Sequence, residues 1–103
     1  MTEATYAKLA KAFKALSDPK RVKIVDLLSQ GEMCGCRLLK DFDITQPTLA
    51  HDMKVLKEAG VVKSRREGQK TMYSLDWKAL ERMNIRVMEM LEHKPQEKRA
   101  EPE

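Results

Sequence analysis

The sequence predicts a mainly helical α+β domain in the order helix, helix, helix, helix, hairpin, helix. Two observations predict it. Apolar residues recur at three- and four-residue spacing in successive segments, as on helices with one covered face. After Gly60 the period changes, and two short extended runs flank Glu67-Gly68-Gln69.

The first helix is expected over 4–17, with Tyr6, Leu9, Ala10, Phe13 and Leu16 on one apolar face. Asp18 then offers an N-cap and Pro19 suits the first position of a second helix. That helix carries Val22, Ile24, Val25, Leu27 and Leu28 and stops at Gly31. Residues 34–42 read as a short third helix with Leu38, Leu39 and Phe42 apolar. Thr45 is the N-cap candidate of a fourth, with Pro47 in its first turn. Its inner stripe is Leu49, Met53, Leu56 and Ala59, and Gly60 ends it. In the hairpin, Thr71, Tyr73 and Leu75 share one side. Asp76 precedes the last helix, with Trp77, Leu80, Val87, Met88 and Leu91. The domain is expected over 1–93, with 94–103 a disordered polar tail. Two consecutive short helices joined by a tight turn, followed by a basic hairpin, describe a winged helix-turn-helix.

Composition bounds what such a domain can do. Charged residues make up 35% of the 103 and apolar residues 42%, in periodic blocks, which excludes a disordered chain. A chain of this length buries only about 60–65% of its unfolded surface, so a shared dimer core would help it. The net charge of +4 permits a nucleic-acid partner without demanding one. Between Lys63 and Lys70, however, Lys63, Arg65, Arg66 and Lys70 face one acid, Glu67. The N-terminal residues do not read as a signal peptide, and no run approaches the roughly 20 apolar residues of a membrane span. A cytoplasmic protein without a membrane partner is expected.

The second helix of a helix-turn-helix presents its N-terminal residues to the major groove. Here these are Gln46, Thr48 and His51, with Lys54 one turn further on, and Thr45, the N-cap, is a further DNA-contact candidate. Gln can bond adenine in a bidentate manner, Thr can meet a base or a thymine methyl, and Lys can meet phosphate. Arg65, Arg66 and Lys70 are the hairpin's candidates for phosphate or the minor groove. Asp52 lies beside the reading residues and would repel phosphate unless it accepts a cytosine bond or faces away. Lys20, Arg21 and Lys23 open the second helix, where cations oppose its dipole; the mismatch hints at a phosphate-facing role, with a solvated face the favoured reading.

Cys34-Gly35-Cys36 is the most specific chemical feature. Thiolates take soft ions and not magnesium or calcium. Two packed small residues and an oxidant-sensing pair are the other readings, which the residues leave open. Zinc is weakly supported, since it asks for four ligands and His51 and His93 are far apart in sequence. A disulfide across one intervening residue is expected to be strained. Successive helical residues rotate by about 100°, so positions i and i+2 point to nearly opposite sides. One ion cannot hold both sulfurs while a regular helix runs through 34–36. Either that helix start is already frayed, or the ligand unwinds it and weakens the reading helix built on it. Couplings of about 1–3 kcal/mol would loosen DNA roughly 5- to 150-fold. A dithiol enzyme is not supported, for want of a CxxC, a thiol-activating His or a glycine-rich phosphate loop.

The segment MCGCRLLKDFDITQPTLAHDMKVLKEAGVVKSRREGQKTMYSL closely resembles the ArsR/SmtB family of metal- and metalloid-responsive repressors, in its arsenic-sensing branch. The resemblance implies a homodimer built through the first and last helices, for which Tyr6, Leu9, Phe13, Leu80, Val87, Met88 and Leu91 are the candidates. It implies operator DNA as partner, no required cofactor, and release when As(III) or Sb(III) binds thiols at the positions of Cys34 and Cys36. The chain departs from the family at Arg37, where an acid is frequent, and at Leu39, where some members have a third cysteine. Ala50 and Asp52 replace polar residues common in the reading helix, so no operator sequence carries over. The last helix lacks the Asp and His spacing of the zinc-sensing branch. The N-terminal cysteines of the cadmium- and lead-sensing branch are missing.

Overall fold

The computed structural model describes residues 1–92 and Pro95. Its elements are α1 (Glu3–Ala15), α2 (Pro19–Leu28), β1 (Met33–Cys34), α3 (Gly35–Leu39), α4 (Gln46–Glu58), β2 (Val62–Glu67), β3 (Lys70–Leu75) and α5 (Trp77–Glu92). The expected winged helix-turn-helix order is present, with one strand added. The expected tail, Pro95 apart, lies outside the described residues, as does His93.

Side chains set the helix starts. Asp18 accepts the Lys20 N–H at 2.7 Å, Thr45 accepts the Thr48 N–H at 3.3 Å and Asp76 accepts the Ala79 N–H at 3.1 Å. Each satisfies a donor that the first helical turn leaves free. Gly60 at φ +79° follows the end of α4, and Gly68 at φ +62° opens the two-residue hairpin turn. Positive φ at the first turn residue alone is the type II′ pattern, whose twist matches the flanking strands.

The sheet has three strands in the order β1-β3-β2, both pairings antiparallel. β1 was not expected, because two residues are too few to show alternation. Met33 pairs with Tyr73 and Cys34 with Met72, so β3 has a partner on each side. Directly paired residues share a face. Met33, Tyr73 and Ser64 therefore lie on one face, and Cys34, Met72 and Arg65 on the other. Val62 and Leu75 share the first face and are buried, so that face covers the core and the second turns away.

Ile24, Leu28, Leu38, Leu49, Met53, Leu56, Val61, Val62 and Leu75 form the centre of the core. The α4 stripe is as expected. In α1 the inward residues are Leu9, Ala12 and Ala15, while Tyr6 and Phe13 point outward. Val22 of α2 is likewise exposed. In both helices large apolar side chains lie round more than one face, and spacing alone does not say which face wins. α3 is shorter than expected at five residues, too few to stand alone. Its anchor is Leu38, fully buried and worth roughly 1.5–3 kcal/mol in transfer terms.

Asp52 is the buried charged residue among those described. It faces α2, where Arg21 Nη1 donates to Oδ1 at 3.1 Å and Lys20 Nζ stands 3.7 Å from Oδ2. Arg21 Nε also donates to the Ala15 carbonyl at 2.6 Å, so one guanidinium ties α1, α2 and α4. Replacing Asp52 with Ala removes the buried carboxylate that Nη1 of this fork bonds and should lower stability by about 2–4 kcal/mol. Urea denaturation measures it; a loss below about 0.5 kcal/mol, the size of a neutral surface change, would show that the pair contributes little.

Candidate thiol site and nucleic-acid interface

The thiol pair sits where β1 turns into α3. Cys34 is extended at φ −76°, ψ 157°, and is the N-cap of α3; Cys36 lies in the first helical turn. No regular helix runs through both, so the opposite-sides geometry expected for two helical residues does not apply. The sulfurs converge with α3 fully wound, and Cys34 and Cys36 are joined as a disulfide. Their Cα atoms are 5.4 Å apart, inside the range of bridged cysteines, so the backbone spacing allows the two sulfurs to meet across one intervening residue. The extended N-cap residue is what closes the gap. Cys34 is half-buried and Cys36 exposed. Cys34 Sγ accepts the Arg37 N–H at 3.3 Å. Gly35, between the two cysteines, packs against the Tyr73 ring, where an added Cβ would lie 3.4 Å from Cε2. Two vicinal sulfurs on a wet edge suit a soft, thiophilic atom or reversible oxidation.

On α4, Thr45, Gln46, Thr48, His51 and Lys54 are all exposed. The Thr45 and Thr48 hydroxyls lie 3.0 Å apart. Asp52 faces inward, away from this surface. The three cations of α2 are engaged within the fold rather than offered to phosphate. Lys20 meets Asp18 at 3.0 Å, Arg21 meets Asp52, and Lys23 Nζ donates to the Asp41 carbonyl at 2.8 Å.

Between α4 and the hairpin lies a groove of about 510 Å³. Lys54, Lys57, Arg66 and Thr71 are among its lining residues. Lys57 was not singled out in the sequence, although it lies three residues after Lys54 and so on the same side of a helix. Arg66 donates to Thr71 Oγ1 at 3.0 Å. Arg65 is half-exposed but engaged: Nε and Nη2 each reach a Glu32 oxygen at 2.7 Å, and Nη2 reaches Glu67 at 3.2 Å. The sequence did not reveal this pairing, because Glu32 and Arg65 meet only through the β1–β3–β2 order. Lys63 and Lys70 are exposed and make no ion pair among the described residues. No helix among the described residues is long and apolar enough to cross a membrane.

A helix-turn-helix with its second helix exposed, flanked by a basic wing, defines a DNA-binding transcriptional regulator. Residues 18–64 match the bacterial regulatory protein, arsR family. Over 80 residues the chain is 46% identical to the arsenical resistance operon repressor of Staphylococcus xylosus, covering 78% of this chain and 77% of that one. The Staphylococcus aureus protein of the same name is 46% identical over 72 residues, 70% of this chain and 69% of its own. The chain therefore belongs to the ArsR family, whose members are regulators and not enzymes. Solved structures agree on the fold. A homodimeric winged helix-turn-helix DNA-binding domain from Mycobacterium bovis superposes with TM-score 0.72 at 27% identity, covering 93% of this chain and 95% of that one. An ArsR-like transcriptional regulator from Rhodococcus sp. RHA1 gives TM-score 0.77 at 25% identity, over 84% and 82%.

The hydrogen bonds from Arg65, above all, hold the Glu32 carboxyl below its ordinary value of 4.5. A depressed carboxyl contributes its tie above its unfolded value and loses it as pH falls through the lower folded one. The Arg65 Nε–H resonance should therefore hold steady from pH 7 to 4.5 and move only below that. Glu32→Gln should abolish the step. A step at or above the ordinary value, or one that survives in Glu32→Gln, would show that the fork does not form in solution.

Proposed function

We propose that the chain is a homodimeric transcriptional repressor, acting in the cytoplasm, that leaves its operator when As(III) or Sb(III) binds Cys34 and Cys36. The carrying observation is the convergence of the two sulfurs at the strand-to-helix junction, directly ahead of the helix-turn-helix. The names of the staphylococcal relatives support an arsenical effector.

Cys34 and Cys36, reduced and deprotonated, would hold the metalloid, which supplies strong bonds to sulfur. Cys34 Sγ also caps α3 through the Arg37 N–H. A sulfur committed to arsenic is a poorer acceptor, so the cap weakens and the support of α4 with it. This replaces the unwinding expected from a helix running through both cysteines. Gln46, Thr48 and His51 are the base-reading candidates; Thr45, Lys54, Arg66 and Lys70 are the phosphate candidates, with Lys57 added by the groove. Arg65 acts on DNA only if it leaves Glu32.

The dimer reading is supported by uncovered apolar surface. α5 has the chain's sharpest division into apolar and polar sides, yet buries no residue. Ile85, Met88 and Leu91 are each more than half exposed, and Tyr6 and Phe13 on α1 nearly so. Val87 is half-covered, while Leu9 is buried in the chain itself and Leu80 packs on its core. Those two are the weaker members of the interface set. The M. bovis structure is a homodimer.

The joined sulfurs favour one second reading. Hydrogen peroxide could take two electrons and two protons from the dithiol, forming the S–S bond and releasing two waters as its O–O bond breaks. Fluorescence anisotropy of reduced protein on its own promoter separates the readings. Arsenite should release the wild type. Cys34→Ser and Cys36→Ser should bind DNA normally and lose at least about fivefold of that response. Retained arsenite response in both variants excludes the thiol ligands; release by peroxide but not arsenite selects the redox reading. For the interface, Met88→Glu with Leu91→Glu should sediment as a folded monomer. A dimer unchanged in the ultracentrifuge would move the contact elsewhere.

A further inference from the structure

We propose that Met72 is a third soft donor beside Cys34 and Cys36, making with them an all-sulfur site for a monovalent soft cation, copper(I) or silver(I). The proposal rests on Cys34 and Cys36 being the effector ligands, and adds to them a ligand and a class of cation.

The register carries it. Cys34 of β1 pairs directly with Met72 of β3. Paired residues stand on the same face with Cβ atoms about 4.5–5.5 Å apart. A methionine side chain has three rotatable bonds, the first two of which set where Sδ lies, enough to bring it across the gap. The face is the one turned away from the core, because the neighbouring rung, Met33 with Tyr73, packs inward. The Met72 thioether is thus not committed to core packing. Both Cys34 and Met72 are half-buried, so a bound ion would be partly shielded from water. The second thiol is already placed, since the Cys36 sulfur adjoins that of Cys34.

Donor chemistry decides the cation. Thiolates with a thioether select copper(I) and related soft ions. Zinc asks for four ligands, and the described residues hold no group of three His, Cys, Asp or Glu able to bind a metal. As(III) already bonded to two thiolates gains little from a neutral thioether. Met72 should therefore separate the two effectors: indifferent to arsenite, needed for copper(I).

The test uses the full chain with thiols kept reduced under anaerobic conditions. Copper(I) is titrated in competition with a chromophoric chelator, and arsenite binding is followed separately. Wild type should bind one copper(I) per chain. Outer-shell changes alone cost about 10–100-fold in metal affinity, so Met72→Leu, which removes a ligand, should cost at least about tenfold. Arsenite affinity should change less than about twofold, and Met72→Cys should restore copper(I) binding. X-ray absorption of the copper-loaded wild type should count three sulfur neighbours, a readout that needs no variant to fold. Equal copper(I) affinity in wild type and Met72→Leu, or two sulfur neighbours in the wild type, overturns the proposal. If Cys34→Ser and Cys36→Ser lose both ligands while Met72→Leu keeps copper(I), only the thioether role fails. If the serine variants keep both ligands, the thiol site fails as well.

Discussion

The two rungs between β1 and β3 are the constraint on which the rest depends. They hold Met33 and Cys34 extended, so α3 cannot begin before Gly35. Were that helix to start one residue earlier, Cys34 and Cys36 would both be helical, and their side chains would diverge by about 200°. The same rungs set Cys34 in a row with Met72 and Arg65, from the thiol segment to the wing. Glu32, just before β1, then closes the row by gripping Arg65 from the opposite edge of the sheet. A pairing of two residues thus determines where the sulfurs meet, which face they share and what lies beside them.

The basic residues divide by type. Arg21 and Arg65 act as forks, each bonding more than one acceptor and tying separate elements together. A planar guanidinium suits that work, because it satisfies two acceptors at fixed angles. The cations left outward on α4 and the hairpin are mainly lysines: Lys54, Lys57, Lys63 and Lys70. Lysine meets phosphate as a point charge and reads little sequence. In the DNA reading the wing then positions the protein, and the choice of sequence falls to Gln46, Thr48 and His51.

Much of this was legible in the residues, and what was not has a common physical cause. The helix caps Asp18, Thr45 and Asp76 and the turn at Gly68 are local, and each does what its residue type predicts. The α4 stripe was readable because its apolar residues fill one side only. In α1 and α2, Tyr6, Phe13 and Val22 extend the apolar surface beyond the face that the chain itself covers. Choosing between faces needs the tertiary packing. β1, the Arg21–Asp52 pair and the Arg65–Glu32 fork all join residues distant in sequence and leave no periodic trace. The thiol pair was legible as chemistry but not as geometry, since its geometry depends on β1.

Magnitudes limit how the thiol site can act on α4. Losing a side-chain cap costs about 0.5–2 kcal/mol for a good oxygen acceptor, and sulfur is a weak one. The cap on Arg37 is therefore worth a figure near the low end, about twofold in an equilibrium. Two subunits acting together double the free energy, giving roughly fivefold, the bottom of the usual range of allosteric coupling. A stronger response needs a second route from the sulfurs. Under the proposed thiol reading, the row Cys34, Met72, Arg65 would be that route, because a ligand that draws the sulfurs toward Met72 would also bear on the strand that carries the wing. An effector gripping the thiols alone would act chiefly through the cap of α3. One that also engages the thioether would act through both the cap and the wing, so the two kinds of effector should differ in how far they loosen DNA as well as in how tightly they bind.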